Sequence, residues 1–310
     1  MYSKGKSGPS SNHTIFTHDT TNKLLSIRSN RTLSDFILRY ADQEFSCHKS
    51  LAVICSPMIK SLVDRQVSDV DIPSRVLTDK SSIEAVIETM YGKNLQITKE
   101  NAFEVSQIAQ FLEMDDVLSA ATQAIKTASS RTFHRPVEEL LGQVHNDSFV
   151  DFSIKFRNVN LKVHRFLLAA LFPKLSPTWT ISNPSTDCFD ASKLTVSEET
   201  FKELFDSLYT CNVMLTIDKL FDFCHLAAYF QVSPLLRFCH EFMHSQQVRS
   251  NNEWVFAAIT AADVAEDFGF ITEVSKVLSR IPKLSECNLI EVAPRDGKTP
   301  TPPHPTRKQL

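Results

Sequence analysis

The chain has 310 residues, 42% of them apolar, which is enough for about two domains that each bury a core. Its formal charge of -3 provides no basic footprint for nucleic acid or for an acidic membrane surface. It has only 6 glycines, so it is poor in the loops on which phosphate-cradling enzymes depend. We therefore expect no nucleic-acid partner, no membrane partner and no phosphate-binding enzyme.

Both ends of the sequence lack the periodicity of regular structure. Residues 1–20 are rich in Ser, Thr, Gly and His and are not followed by the apolar segment of a secretory signal. Residues 291–310 are rich in proline. We expect both ends to be disordered. The 7 cysteines are odd in number and have no CxxC spacing, which predicts an intracellular protein of the cytoplasm or nucleus.

The body of the chain contains an internal repeat. Residues 34–59 align with residues 150–175 at an offset of 116, and residues 87–114 align with residues 205–232 at an offset of 118. The chain therefore encodes one structural unit twice. The identical pairs are Asp35/Asp151, Phe36/Phe152, His48/His164, Leu51/Leu167, Pro57/Pro173, Tyr91/Tyr209, Asn94/Asn212, Thr98/Thr216, Phe103/Phe221 and Ala109/Ala227.

Taken in chain order, each repeat predicts the same elements. An amphipathic helix comes first, with Leu24, Leu25 and Ile27 at helical spacing. A strand of alternating apolar residues, a polar turn and a second short strand follow, which predicts a hairpin. A helix then begins at His48 or His164, and later helices surround a further short strand. The predicted fold class is α+β and mostly helical, with a small sheet in each repeat.

At this point the first repeat resembles the BTB/POZ domain family. The resemblance rests on the Asp-Phe strand start, on FSCHKSLAVICSP, and on MYGKNLQIT and AQFLEMDDVLSAA. The second repeat is similar but more divergent, because Phe172 stands where the first repeat has Ser56. The resemblance predicts a BTB/POZ domain at 21–128, a linker at 129–136 and a divergent copy at 137–246. Residues 250–290 resemble in placement the helical extension that follows BTB domains, either as a cap or as another interaction surface.

The resemblance implies a non-enzymatic scaffold for protein interaction and oligomerisation, without a cofactor. Asp35, His48, Asp151 and His164 belong to the family signature and are expected to be structural. Family members dimerise through the first helix and first strand, so the two repeats either pair with each other within the chain or pair between chains. The candidate pairing surface consists of Leu24, Leu25, Ile27, Leu33, Leu140, Leu141 and Phe149.

Many family members also recruit a cullin scaffold for ubiquitin ligation. They use an apolar-x-Glu motif after the Ser-Pro helix, which here reads Val67-Ser68-Asp69 and has a shorter acidic side chain. The second repeat has no acidic motif at this place. The alternative is a BTB-type transcriptional regulator that recruits corepressors, although no zinc finger or basic region accompanies the repeats. The candidate cullin-binding residues are Met58, Ile59, Leu62, Val67 and Asp69.

Two other features of the sequence bear on function. Cys224, His225, Cys239, His240 and His244 resemble metal ligands, but their spacing lacks a close cysteine pair and follows a helical core pattern. We therefore predict no metal site and no catalytic residue. Of the 22 phenylalanines, 4 lie in residues 21–130 and 13 in residues 137–244. Either the core of the second repeat is filled with larger side chains, or this repeat presents an aromatic partner surface.

Overall fold

The computed structural model describes residues 11–14, 18–145, 149–172, 174–175, 188–216 and 218–244. The predicted helical extension at 250–290 and the proline-rich tail at 291–310 lie outside the described residues. The elements of the first repeat are β1 (Ser11–Thr14), α1 (His18–Ser29), β2 (Phe36–Tyr40), β3 (Gln43–Cys47), α2 (Lys49–Cys55), α3 (Pro57–Asp64), β4 (Asp69–Asp71), α4 (Lys80–Thr89), β5 (Leu95–Ile97), α5 (Ala102–Phe111) and α6 (Asp115–Thr127).

The second repeat has the same order of elements in its described part, except for a counterpart of α3. Its elements are β6 (Arg131–Phe133), α7 (Val137–Val144), β7 (Phe152–Phe156), β8 (Val159–Val163), α8 (Arg165–Leu171), β9 (Cys188–Asp190), α9 (Glu198–Thr210), β10 (Asn212–Leu215), α10 (Leu220–Phe230) and α11 (Ser233–His244). The repeat predicted from sequence is thus a repeat of structure, and the α+β, mostly helical fold class is confirmed.

Each repeat contains a three-stranded sheet with the same pairing. In the first, β2 pairs antiparallel with β3 and parallel with β4; in the second, β7 pairs antiparallel with β8 and parallel with β9. The alternation of apolar residues along β2 and β7 places Phe36 and Leu38, or Phe152 and Ile154, on the buried face. In the second repeat the residues of the other face are half-buried or exposed, whereas in the first repeat Ser46 on that face is buried.

The phenylalanines of the second repeat fill its core. Phe172 packs against Phe205 and Phe230, each with ring centroids 5.3 Å apart, and Phe156 stacks on Phe201 at 4.2 Å. All five side chains are at most 1% exposed. Of the two possibilities that the phenylalanine distribution left open, a core of larger side chains is correct, since no phenylalanine of the described part of this repeat is exposed.

Two segments for which no strand was predicted contain one each. β1 and the start of α1 lie in the segment predicted to be disordered at 1–20, and β6 lies in the predicted linker at 129–136. β1 pairs with β10, and β6 pairs with β5, so each strand has its partner in the other repeat. A short polar strand whose partner is distant has no local signal. The expectation of disorder is therefore wrong at residues 11–14 and 18–20, and the expected linker contains a strand that was not predicted. Among the described residues, no helix is long and apolar enough to cross a membrane.

Candidate interaction surfaces

The two repeats contact each other through equivalent elements. Helix α1 of the first repeat packs against α8 of the second, and α7 of the second packs against α2 of the first. The strand pairs β1–β10 and β6–β5 lie at the two ends of this contact. Each repeat therefore gives its first helix and first strand to the other, in a pseudo-twofold arrangement. We call this contact the seam.

The residues predicted for the pairing surface lie in or next to the core. Leu24, Leu140 and Leu141 are at most 1% exposed, and Ile27 is 9% exposed. Leu25, Leu33 and Phe149 are half-buried and pack against the same core. Leu33 and Phe149, which come from different repeats, line one small cavity together with the two aspartates and two histidines of the family signature. The structure thus brings Leu33 and Phe149, one predicted residue from each repeat, to the same cavity.

His48 is held by hydrogen bonds on every polar atom. Its Nε2 lies 2.9 Å from the carbonyl oxygen of Thr32, which only accepts, so Nε2 carries the proton. Its Nδ1 then accepts from the Tyr91 hydroxyl at 2.9 Å, and its backbone N–H donates to that hydroxyl at 3.0 Å. The ring also stacks on Phe166 of the second repeat, with centroids 4.9 Å apart. His48 is therefore a neutral structural residue of the seam.

His164 has the corresponding place in the second repeat. Its Nδ1 lies 2.9 Å from the Tyr209 hydroxyl, and its backbone N–H donates to the same oxygen at 3.2 Å. In both repeats, the histidine before α2 or α8 is thus linked in the same way to the tyrosine just after α4 or at the end of α9. This explains why His48, Tyr91, His164 and Tyr209 were among the few identical pairs of the sequence repeat.

The two signature aspartates cap the helices that follow the hairpins. The backbone N–H of Lys49 donates to Asp35 Oδ1 at 2.7 Å, and that of Arg165 donates to Asp151 Oδ1 at 2.8 Å. These bonds satisfy an N–H at the start of α2 and of α8 that has no partner within the helix. Burial raises the pKa of both carboxyl groups, against the lowering effect of these hydrogen bonds. The aspartates therefore have a structural role at the start of α2 and α8.

Sequence reasoning missed a cavity at the junction of the repeats. Its volume is about 390 Å³, and its wall includes the guanidinium group of Arg135. Arg135 Nη2 donates to the Asp116 carboxylate, whereas Nη1 is buried without a hydrogen-bond partner. Burial raises the pKa of the Cys55 thiol in the same wall to about 11, so this thiol stays protonated and unreactive. The wall consists of Ile54, Cys55, Asp116, Phe133, His134, Arg135, Pro136, Glu139, Leu140 and Gln143.

The predicted cullin surface of the first repeat is partly exposed. Ser56 begins α3, because its hydroxyl oxygen accepts from the Ile59 N–H at 3.1 Å. Met58, Leu62 and Val67 are half-buried on the outside of the domain. Ile59, in contrast, has no exposed area and belongs to the core, so its inclusion in this surface was wrong.

Asp69 is the acidic residue of the predicted motif, and it lies in β4. Its carboxylate accepts from Arg39 Nη1 on the neighbouring strand β2, and 41% of its side chain is exposed. The motif's charge is therefore present at the surface but already has an intramolecular partner. A cullin residue that binds Asp69 has to compete with Arg39 or share the carboxylate with it.

The second repeat lacks this surface in its described part. Phe172 takes the place of Ser56, which removes the hydroxyl that caps α3 in the first repeat. The register of the sheets aligns Cys188 with Asp69, because Cys188 lies opposite Ser153 as Asp69 lies opposite Ile37. A thiol thus stands where the first repeat has the acidic residue.

The cysteines that resembled metal ligands are core residues. Cys224 and Cys239 are at most 1% exposed and belong to α10 and α11. Burial raises the pKa of Cys239 well above its usual value. No group of three or more His, Cys, Asp or Glu side chains with the geometry of a metal site occurs among the described residues.

The fold defines the class of this protein as a tandem α+β domain whose copies pair face to face. The sequence pattern of the BTB/POZ domain matches residues 24–129 and 140–247, so the chain belongs to the BTB/POZ family, with two copies of the domain. Domains of this family mediate protein–protein interaction and dimerisation. The chain is also similar to the solved BTB domain of zebrafish PATZ1, at 21% identity over 34% of this chain and 88% of that one, with a TM-score of 0.30.

Proposed function

We propose that this protein is a non-enzymatic, intracellular adaptor whose two BTB domains pair with each other within one chain. The paired domains form the scaffold, and the first domain recruits a cullin for ubiquitin ligation. The pairing part of the proposal is supported by the seam, in which both first helices and both first strands are used inside the chain. Because tethering raises the effective concentration of each domain to about millimolar, the internal pair outcompetes pairing between chains.

The observation that carries the cullin part is the surface of α3 and β4 in the first domain. It combines a capped helix with the half-exposed apolar residues Met58, Leu62 and Val67 and the exposed carboxylate of Asp69. An apolar patch with an acidic residue at its edge has the composition of a protein-binding site. The proposal keeps the domain boundaries at 21–128 and 137–246. It adds β1 to the first domain and β6 to the second.

The test is a titration of the full chain with the recombinant amino-terminal domain of a cullin, followed by calorimetry. We expect the wild type to bind and the double variant Val67→Ala, Asp69→Lys to lose binding, because an apolar contact is removed and the charge is reversed. Cys188→Ser is the matched control, since it changes the equivalent position of the second domain and should leave the affinity unchanged. A wild-type chain that does not bind the cullin domain overturns the adaptor function.

The cavity at the junction favours a second candidate function, the recruitment of corepressors by a transcriptional regulator. An extended peptide can enter a cavity of about 390 Å³, whose wall includes the cationic side chain of Arg135. The two functions depend on different residues. Arg135→Met should abolish the binding of a corepressor peptide and leave cullin binding intact, whereas the change at Val67 and Asp69 should do the reverse.

A further inference from the structure

The open face of the sheet in the second domain carries a cluster of cations. Lys155 on β7, Lys162 on β8 and Arg157 in the turn between them are all exposed, and so is Lys193 just after β9. Lys155 lies opposite Asn160, and Lys162 lies opposite Ser153, so the two lysines are diagonal neighbours on one face. We call these four residues the basic face.

Arg157 is the cation of the basic face whose position is fixed by contacts. The guanidinium of Arg157 lies 4.8 Å from the centre of the Phe156 ring, and its Nη2 donates to the Leu194 carbonyl at 3.4 Å. The backbone N–H of Arg157 donates to Ser192 Oγ, which ties the turn to the loop of Lys193. The pKa of Asp190 is lowered, first by its hydrogen bonds with Ser192 and then by the charges of Lys155 and Lys193, which shows that these cations are close neighbours.

The first domain provides an internal comparison, because its sheet has the same register. Lys155, Arg157 and Lys162 correspond to Arg39, Ala41 and Ser46, and Ala41 and Arg157 share the same left-handed turn conformation, with φ of 53° and 50°. On β3 and β4, Glu44, Asp69 and Asp71 correspond to Asn160, Cys188 and Asp190. Over these six positions the first domain has one cation and three carboxylates, and the second has three cations and one carboxylate.

The two faces also differ in how their charges are used. Arg39 pairs with both Glu44 and Asp69 in the first domain, so its charge is neutralised internally. Within the described part of the chain, Lys155 and Lys162 have no carboxylate within ion-pair distance. Asp190, which lies opposite Lys155 on β9, offsets part of this positive charge. The repulsion that remains between the two neighbouring lysines destabilises the fold slightly, and a bound anion relieves it.

We propose that the basic face of the second domain is a docking site for an acidic peptide segment of a partner protein. Carboxylates along an extended segment match the spacing of cations on adjacent strands. A nucleic acid fits less well, because a long polyanion extends beyond the face and is repelled by the rest of the chain, whose net charge is -3. A short acidic segment stays within about one Debye length of the face, roughly 8 Å, and is therefore attracted mainly by the cations of that face. This inference does not depend on cullin binding or on the cavity.

The experiment is a fluorescence anisotropy titration of the full chain with a labelled peptide of alternating glutamate and serine. We expect the wild type to bind, and we expect added salt to weaken the binding. Lys155→Glu with Lys162→Glu should weaken it about tenfold or more, since two attractive contacts become repulsive. Lys155→Arg with Lys162→Arg should keep the affinity. Circular dichroism and thermal unfolding verify that each variant is folded.

The matched control is Lys99→Glu with Lys126→Glu, which changes two exposed lysines of the first domain and gives the same net charge. It should leave the affinity unchanged. The proposal is overturned if the control loses as much affinity as the test variant, if the wild type does not bind the peptide, or if a peptide with glutamine in place of glutamate binds equally well. Tighter binding of a single-stranded RNA by the same lysines overturns it in favour of nucleic acid, and self-association through them overturns it in favour of a second copy of the chain.

Discussion

His48 shows how a single residue links the fold of one domain to the other. Its hydrogen bonds to Thr32 and Tyr91 fix the orientation of the ring, and its stacking on Phe166 joins it to the second domain. Burial lowers the pKa of His48 to about 4. The ring therefore does not change its protonation state near neutral pH, and its role is to hold the seam together.

The lowered pKa of His48 predicts how stability depends on pH. The unfolded chain binds a proton at His48 below a pH of about 6.5, whereas the folded protein binds it only near 4, so stability falls as the pH drops through this window. The total loss is about 3 kcal/mol. Urea unfolding between these pH values should show it for the wild type and not for His48→Gln, which keeps a donor for the Thr32 carbonyl. His134→Gln, at an exposed histidine, should behave as the wild type does, and an unchanged pH dependence in His48→Gln would falsify the prediction.

At individual residues, sequence reasoning succeeded where the side chain has the same role in both repeats. The two histidines and two aspartates of the signature repeat with the elements that they cap or join, so they stand out in the alignment. Ile59 was misassigned because α3 is short, and its apolar residues on the buried and the exposed side lie within one turn of each other. The sequence pattern alone does not separate the two sides. The basic face was hidden by the net charge, which sums over cations and carboxylates that lie on different faces.

At the scale of elements, one substitution distinguishes the two domains. Ser56 caps α3 in the first domain, and its hydroxyl also donates to the Leu112 carbonyl. Phe172 in the same position of the second domain packs instead against α9 and α10 through Phe205 and Phe230. The second domain thus has a larger buried side chain in its core where the first has a residue that caps a helix. This is why the described part of the second domain has an intact core but no counterpart of the α3 surface.

Truncation of this ring measures its contribution to the packing of α8, α9 and α10. Phe172→Ala should lower the free energy of unfolding by about 3–5 kcal/mol, because it leaves a cavity among rings that are already close-packed. Phe103→Ala is the control, since this ring of α5 is 49% exposed and should change the free energy by about 0.5 kcal/mol or less. Chemical denaturation of both variants provides the comparison, and equal losses would contradict the packing assigned to Phe172.

The hairpins and the helices that follow them could be predicted because their signals are local. Alternating apolar residues, a polar turn and a helical spacing all lie within about thirty residues of each other. The strands β1 and β6 could not be predicted in this way, since their hydrogen-bond partners lie in the other repeat. A family resemblance was needed to suggest that the first strand takes part in pairing.

At the scale of the whole molecule, the seam determines the state in solution. Both copies of the pairing surface are occupied inside one chain, so neither remains for a second chain. We expect size-exclusion chromatography with light scattering to give a mass of 35.0 kDa across the micromolar range. A mass of twice this value would mean that at least one surface stays available.

A cleavable form of the chain tests the seam more directly. Ser129 and Ser130 are exposed between α6 and β6, so a protease site inserted there should be cut without disturbing either domain. The two fragments should still elute together, because the exchanged strands and helices hold them. Separation of the fragments at micromolar concentration would show that the covalent link, and not the seam, keeps the domains together.

The stacking of His48 on Phe166 has a consequence for which substitutions the seam tolerates. In a symmetric homodimer each substitution at the interface occurs twice and has to suit both copies at once. Here the position equivalent to Phe166 in the first domain is Ser50, so the two halves of the seam already differ. Because both domains lie in one chain, a substitution in one half of the seam is not repeated in the other half. One domain can therefore have a surface that the other lacks, such as the cluster of cations in the basic face.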